Sequence, residues 1–230
     1  MSATSNKVLF VLTSHDRSGK KPNGFSLTEF THPYRVLVDA GYPVDFVSPL
    51  GGKAPLDPDA HDLDDGINAK FWGDPALRGA VEHTRKPSDV DADDYAGVFF
   101  AGGLGAMWDL PDDATLAALT ARIYAHGGVV GAVCHGPAAL LNVKRPDGDY
   151  LIKDMFVAAS TNEEEREEGL EREVPFMLAD RLEARGAHLD AAPNWQIKVC
   201  VSGRLVTGQN SASATRVGDA MLTMLQNGAH

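Results

Sequence analysis

Short apolar runs of strand length recur along the chain with amphipathic segments of helix length between them, and this alternation restricts the fold more than any other feature. The run 7-KVLFVLTS-14 is apolar and bounded by polar residues, as expected of a strand buried on both faces. Residues 26–41 place Phe30, Tyr34, Leu37 and Val38 on one helical face, with a kink expected at Pro33 and a stop at Gly41. The next run, 43-PVDFVSP-49, alternates as a strand does, and a strand, a crossover helix and a second strand predict parallel pairing. The pattern resumes with a strand at 96–102, a helix near 112–127, a strand at 128–133 and a helix starting at the proline of 135-HGPAALLNV-143. Residues 171–186 read as a helix, 197–208 as a hairpin turning at Ser202-Gly203, and 211–227 as a closing helix. Together these predict a doubly wound, mostly parallel α/β sheet with helices on both faces and a β-hairpin addition.

The chain has 230 residues, which suits one α/β domain over 1–230. The stretch at about 50–94 is rich in proline and aspartate and reads as an insertion with a short helix at 75–83. With 32 acidic against 21 basic residues the net charge is -11, which leaves no electrostatic footprint for a nucleic-acid partner. The longest apolar stretches, 96–103 and 127–134, fall well short of the ~20 residues that cross a bilayer, so no membrane partner is expected. The N-terminus enters a strand without a secretory-type leader, and the expected location is the cytoplasm. The eight histidines are scattered without metal-ligand spacing, and neither G-x-G-x-x-G nor GK[ST] occurs, so neither metal nor cofactor is expected.

Two cysteines make no disulfide framework, and Cys200 reads as a packed strand residue. Cys134 is different because it ends a strand in AVCHGP, with Ala132 and Gly136 two residues to either side, the small neighbours that a sharp strand-to-helix elbow requires. Free amides at the start of the following helix would favour its thiolate, the form that attacks carbonyls. A buried core cysteine is the plain alternative. His135 would tend to point to the other side of the turn, which leaves its backbone N–H as the more secure contributor. The glycine-rich turn 101-AGGLGAMWD-109 could present the amides of Gly103 and Leu104 to a developing oxyanion. Glu29 is either the acid of a capping box with Ser26 or a buried proton carrier near Cys134, and the sequence is compatible with both. The acids between Glu163 and Glu173 read mostly as a solvated face.

Taken in order, 29-EFTHP-33, AGGLGAMWD at 101–109, AVCHGP at 132–137, STNEEE at 160–165 and TGQNSAS at 207–213 resemble the ThiJ/PfpI superfamily, in its branch of glutathione-independent glyoxalases (glyoxalase III) and stress chaperones. The resemblance implies a flavodoxin-like fold, nucleophilic Cys134 beside His135, an acid partner at Glu165 and a proton-shuttling Glu29. It further implies a homodimer acting on a small 2-oxoaldehyde such as methylglyoxal, without metal, cofactor or glutathione. Leu104 stands where the branch usually has histidine. Superfamily relatives also include cysteine peptidases or amidases, and a holdase chaperone or oxidative-stress sensor is the non-enzymatic alternative.

Overall fold

A computed structural model describes residues 6–228. In chain order its strands are β1 (Lys7–Val11), β2 (Arg17–Ser18), β3 (Lys21–Pro22), β4 (Val44–Val47), β5 (Tyr95–Phe100), β6 (Val129–Val133), β7 (Phe156–Val157), β8 (His188–Leu189), β9 (Val199–Ser202) and β10 (Leu205–Gly208). The α-helices are α1 (Leu27–Asp39), α2 (Gly66–Gly73), α3 (Pro75–Glu82), α4 (Ala106–Asp109), α5 (Ala114–Ala125), α6 (Asn162–Glu167), α7 (Leu178–Ala184) and α8 (Ala214–Asn227). The central sheet has the order β4-β1-β5-β6-β10-β9. All neighbours in it pair in parallel except β9 and β10, the antiparallel hairpin at one edge. The flavodoxin-like, doubly wound architecture is therefore present.

Period-two alternation along β1 explains why helices cover both faces. Val8 and Phe10 enter one core with Phe30 and Leu37 of α1 and Met221 of α8, while Leu9 and Val11 enter the other with Leu116 and Ile123 of α5. Phe10 meets Phe30 edge-on at 6.0 Å, and Phe30 meets Phe71 of α2 at 4.9 Å. Each such ring contributes about 1.5–3 kcal/mol through burial. Val38 departs from the expected helical face and is exposed, because the α1 surface turned towards the sheet ends at Leu37.

Several expected elements differ. The helix anticipated at 135–143 is a five-residue 3₁₀ turn, Gly136–Leu140, wholly buried against α4, α5, β5 and β6. Its successive i→i+3 bonds, such as Ala138 N to His135 O at 3.0 Å, show the tightening that this confinement imposes. The helix read over 171–186 forms only as α7, since Pro175 has no N–H to donate and disfavours helical geometry at Val174. Within 50–94 the expected helix at 75–83 is α3, and α2 precedes it unforeseen, its Asn68 side chain fixed to Thr28 and Thr31 of α1. The parallel pair β7–β8, two residues each, carries too little pattern to be read from sequence.

If the five longer parallel strands are counted in chain order they run 2-1-3-4-5, so the sheet reverses direction between β1 and β5. A crevice opens at the carboxyl ends of strands at such a switch point. Residues 101–105 and 134–136 emerge there side by side.

Candidate active site

Cys134 follows the last residue of β6 and has φ 57, in the left-handed region that a non-glycine residue enters only under local constraint. The backbone is held in that turn by Cys134 N donating to Gly208 O at 2.9 Å and by Ser160 N donating to Cys134 O at 3.0 Å. Gly136 is obligatory here, because a Cβ on it would lie 2.4 Å from the carbonyl oxygen of Phe100. The elbow expected from Ala132 and Gly136 is therefore formed, and Cys134, half-buried, lines a cleft while also packing against the core on the Phe10 side of the sheet.

The positive φ also corrects the expected direction of His135. Consecutive side chains alternate only in an extended strand. With Cys134 rotated out of that conformation, His135 turns back, and its Nδ1 lies 3.4 Å from Cys134 Sγ. On the other side of the ring, Nε2 is 2.6 Å from Glu165 Oε1, which also accepts from Ser160 Oγ at 2.9 Å. Thiol, imidazole and carboxylate thus stand in line, with the histidine and Glu165 both buried.

Glu29 approaches the sulfur from α1. It does not form a capping box, since Ser26 N donates to Gly102 O instead. Its Oε1 accepts from Ser211 Oγ at 2.5 Å, while Oε2 is buried with no partner among the described residues. A Cβ on Gly102 would lie 2.0 Å from that Oε2 and 3.0 Å from Cys134 Cβ, so the carboxyl occupies space next to the thiol that only glycine at 102 leaves free. Gly103 and Leu104 line the same cleft. Among the described residues the N–H groups of Gly103, Leu104 and His135 have no acceptor.

Burial pushes the Cys134 thiol well above its usual range, and the nearby Glu29 and Glu165 carboxylates push it further. The direction is opposite to the one expected from a helix start, with burial as its first cause, and the element that follows is a short 3₁₀ turn rather than an α-helix. Burial likewise raises Glu29, against the opposing hydrogen bond from Ser211. For His135 burial favours the neutral ring, but the hydrogen bond and charge of Glu165 prevail and raise it. Burial alone would raise Glu165, yet the His135 bond holds it below its usual value. Thiol, imidazole and the Glu29 and Glu165 carboxyls each influence the others' proton affinity, so the four titrate as a coupled group.

Sequence reasoning missed the supports. Glu164 lies in the acidic run read mostly as a solvated face, but it is buried, with Oε1 accepting from Trp195 N at 2.9 Å, Gln209 Nε2 at 3.0 Å and Asn210 Nδ2 at 2.9 Å. Its Oε2 closes a capping box with Thr161, the one local signal that could have marked it. Glu164 thereby ties α6, which carries Glu165, to the TGQN segment that places Ser211. Asp109 of the MWD motif accepts from Thr13 Oγ1 at 2.8 Å and Ser14 N at 2.6 Å, locking the turn to the end of β1. Cys200 is buried, as expected, and its thiol is raised to about 11 by burial. Among the described residues no three His, Cys, Asp or Glu side chains cluster as metal ligands, and no helix is long and apolar enough to cross a membrane.

The sheet order and the thiol held on its elbow beside Glu29 and His135 place the molecule among flavodoxin-like α/β proteins with a cysteine-containing pocket at the carboxyl edge of the sheet. The chain belongs to the DJ-1/PfpI family, whose profile matches residues 21–224. It is 31% identical to a glutathione-independent glyoxalase of Saccharomyces cerevisiae, over 96% of this chain and 98% of that protein. Among solved structures, the Rapid Encystment Protein 24 kDa of Francisella tularensis superposes with a TM-score of 0.92 at 40% identity, covering 95% of this chain and 98% of that one. Glyoxalase III of Candida albicans superposes with a TM-score of 0.88 at 28% identity, covering 96% and 98%.

Proposed function

We propose that the protein is a glutathione-independent glyoxalase that converts methylglyoxal to lactate and glyoxal to glycolate, a lyase of the D-lactate dehydratase type. The observation that carries this reading is the buried, unpartnered Oε2 of Glu29, which shares with Cys134 the space left free by Gly102, in addition to the His135–Glu165 pair. A simple acyl-transfer site needs a nucleophile, a base and an oxyanion donor; a second buried acid next to the sulfur suits a reaction that must also move a proton between two carbons.

In the proposed reaction the Cys134 proton passes to His135, whose cation Glu165 stabilises, and the thiolate adds to the aldehyde carbon. The resulting alkoxide is met by the free amides of Gly103, Leu104 and His135 and takes a proton to give the hemithioacetal. Glu29 as carboxylate removes the hydrogen from that carbon, forming an enediol, and as acid returns it to the neighbouring carbon. The former aldehyde carbon is now a thioester and the former ketone a secondary alcohol, so oxidation and reduction balance within the substrate. Water cleaves the thioester, releasing the hydroxyacid and restoring the thiol. Burial raises Glu29, and a raised carboxyl is better matched than an ordinary one to taking and returning a proton. Lactate release from methylglyoxal without added glutathione tests the reading: wild type is active and Cys134→Ala is not. Full turnover by the variant would refute it.

A further inference from the structure

The cleft over Cys134 has a volume of about 590 Å³. Methylglyoxal needs roughly 100 Å³, the liquid volume of three or four waters. Most of the space therefore surrounds whatever the reacting carbonyls are attached to, and its walls bear mainly one sign of charge. Asp57, Asp59 and Asp62, from the segment between β4 and α2, line it together with Glu168 from the opposite wall. Among the described residues none of these four is ion-paired. Lys21, a cation in the same lining, is engaged by Glu173 at 2.8 Å. At the floor, His135 is matched by Glu165, and the buried, unpartnered Oε2 of Glu29 points to a ligand that supplies what the protein does not. Glu164 adds a further carboxylate. A concave site lined by one sign concentrates ligands of the other sign and excludes its own.

We infer that the cleft is a charge filter, set by Asp57, Asp59 and Asp62, that admits 2-oxoaldehydes with cationic or uncharged tails and rejects those with anionic tails. The aldehyde class rests on the glyoxalase reading; the selection by charge does not, so the two are tested apart. Cys134 is labelled with a trimethylammonioethyl and with a sulfonatoethyl methanethiosulfonate. In each case the thiolate attacks the sulfenyl sulfur, a disulfide forms and methanesulfinate leaves. Rates are read on the Cys134 peptide by mass spectrometry and divided by those of N-acetylcysteine. The expected preference for the cationic reagent is about tenfold or more at low ionic strength, and it shrinks as salt is raised. In Asp59→Asn/Asp62→Asn, both exposed positions, it falls towards parity. Parity or anionic preference in the wild type, or an unchanged preference in the variant, overturns the filter. The second arm compares kcat/KM for phenylglyoxals bearing a 4-trimethylammonium or a 4-carboxylate group, taken as the wild-type ratio divided by the same ratio in Asp59→Asn/Asp62→Asn, so that the substituents' electronic effects on the chemical step cancel. A ratio above about ten supports substrate selection, and a ratio near one with active enzyme refutes it. If neither methylglyoxal nor any phenylglyoxal gives hydroxyacid while the labelling preference holds, the glyoxalase reading fails and the filter stands.

Discussion

Glu29→Gln separates the chemistry of residue 29 from its place in the packing. The amide is isosteric, and its oxygen still accepts the bond from Ser211 Oγ that Glu29 now receives at 2.5 Å. Removing a buried carboxyl also removes its desolvation cost, so the fold is retained. What disappears is the group that carries the proton between carbons. A positioned acid-base group contributes about 10²–10⁴ in rate, so kcat/KM for methylglyoxal is expected to fall by that factor, about 3–5 kcal/mol in the barrier. The thiol should move the other way. After burial, the Glu29 charge is the next largest influence raising Cys134. Loss of a neighbouring like charge lowers a thiol's pKa. Each unit gives tenfold more thiolate, and the accompanying loss of nucleophilicity leaves a net gain of about threefold. Alkylation of Cys134 by iodoacetamide at neutral pH should therefore rise severalfold while lactate release collapses. Turnover within threefold of the wild type, or parallel loss of turnover and alkylation, would refute the assignment of Glu29 as the proton carrier.

Three further outcomes follow from the same geometry. Because Cys134 sits at φ 57, Cys134→Gly should unfold about 1 kcal/mol later than Cys134→Ala in denaturant, the reverse of the usual order for these two residues. Gly136→Ala drives a Cβ to 2.4 Å from Phe100 O, and should cost about 1–3 kcal/mol in stability and depress turnover by displacing the end of β5. For His135, raised above 6.5 in the fold, the stabilisation is complete below 6.5 and is lost as pH climbs through the raised value; for Glu165, lowered beneath 4.5, it is complete above 4.5 and is lost as pH drops through the lowered value. Urea midpoints measured from about pH 3 to about pH 9 should thus fall at both ends more steeply in the wild type than in Glu165→Gln.

The alternation of strand and helix was legible because each element announces itself within a few residues. Val8 to Val11 form a continuous apolar run bounded by polar residues and α5 repeats its apolar positions every third or fourth, and such patterns need no knowledge of the partner. The elbow at Cys134 was legible for the same reason, since Ala132 and Gly136 are local requirements of a sharp turn. The kind of helix after it was not, because a 3₁₀ turn results from confinement by α4, α5, β5 and β6. The helix read over 171–186 shows the limit of periodicity when Pro175 interrupts it.

Sequence alone thus determined the sheet, its parallel sense and the position of the thiol at its edge, all consequences of interactions between near neighbours. Tertiary structure decided the protonation chemistry. Whether Glu29 caps a helix or faces a sulfur depends on Ser211, 182 positions away, and on the missing Cβ of Gly102. Whether Glu164 is solvated or buried depends on Trp195, Gln209 and Asn210. A proton's affinity for a site is set by every charge and dipole within a few ångströms and by the water excluded from it, and in a folded chain those come from segments that the local pattern does not bring together.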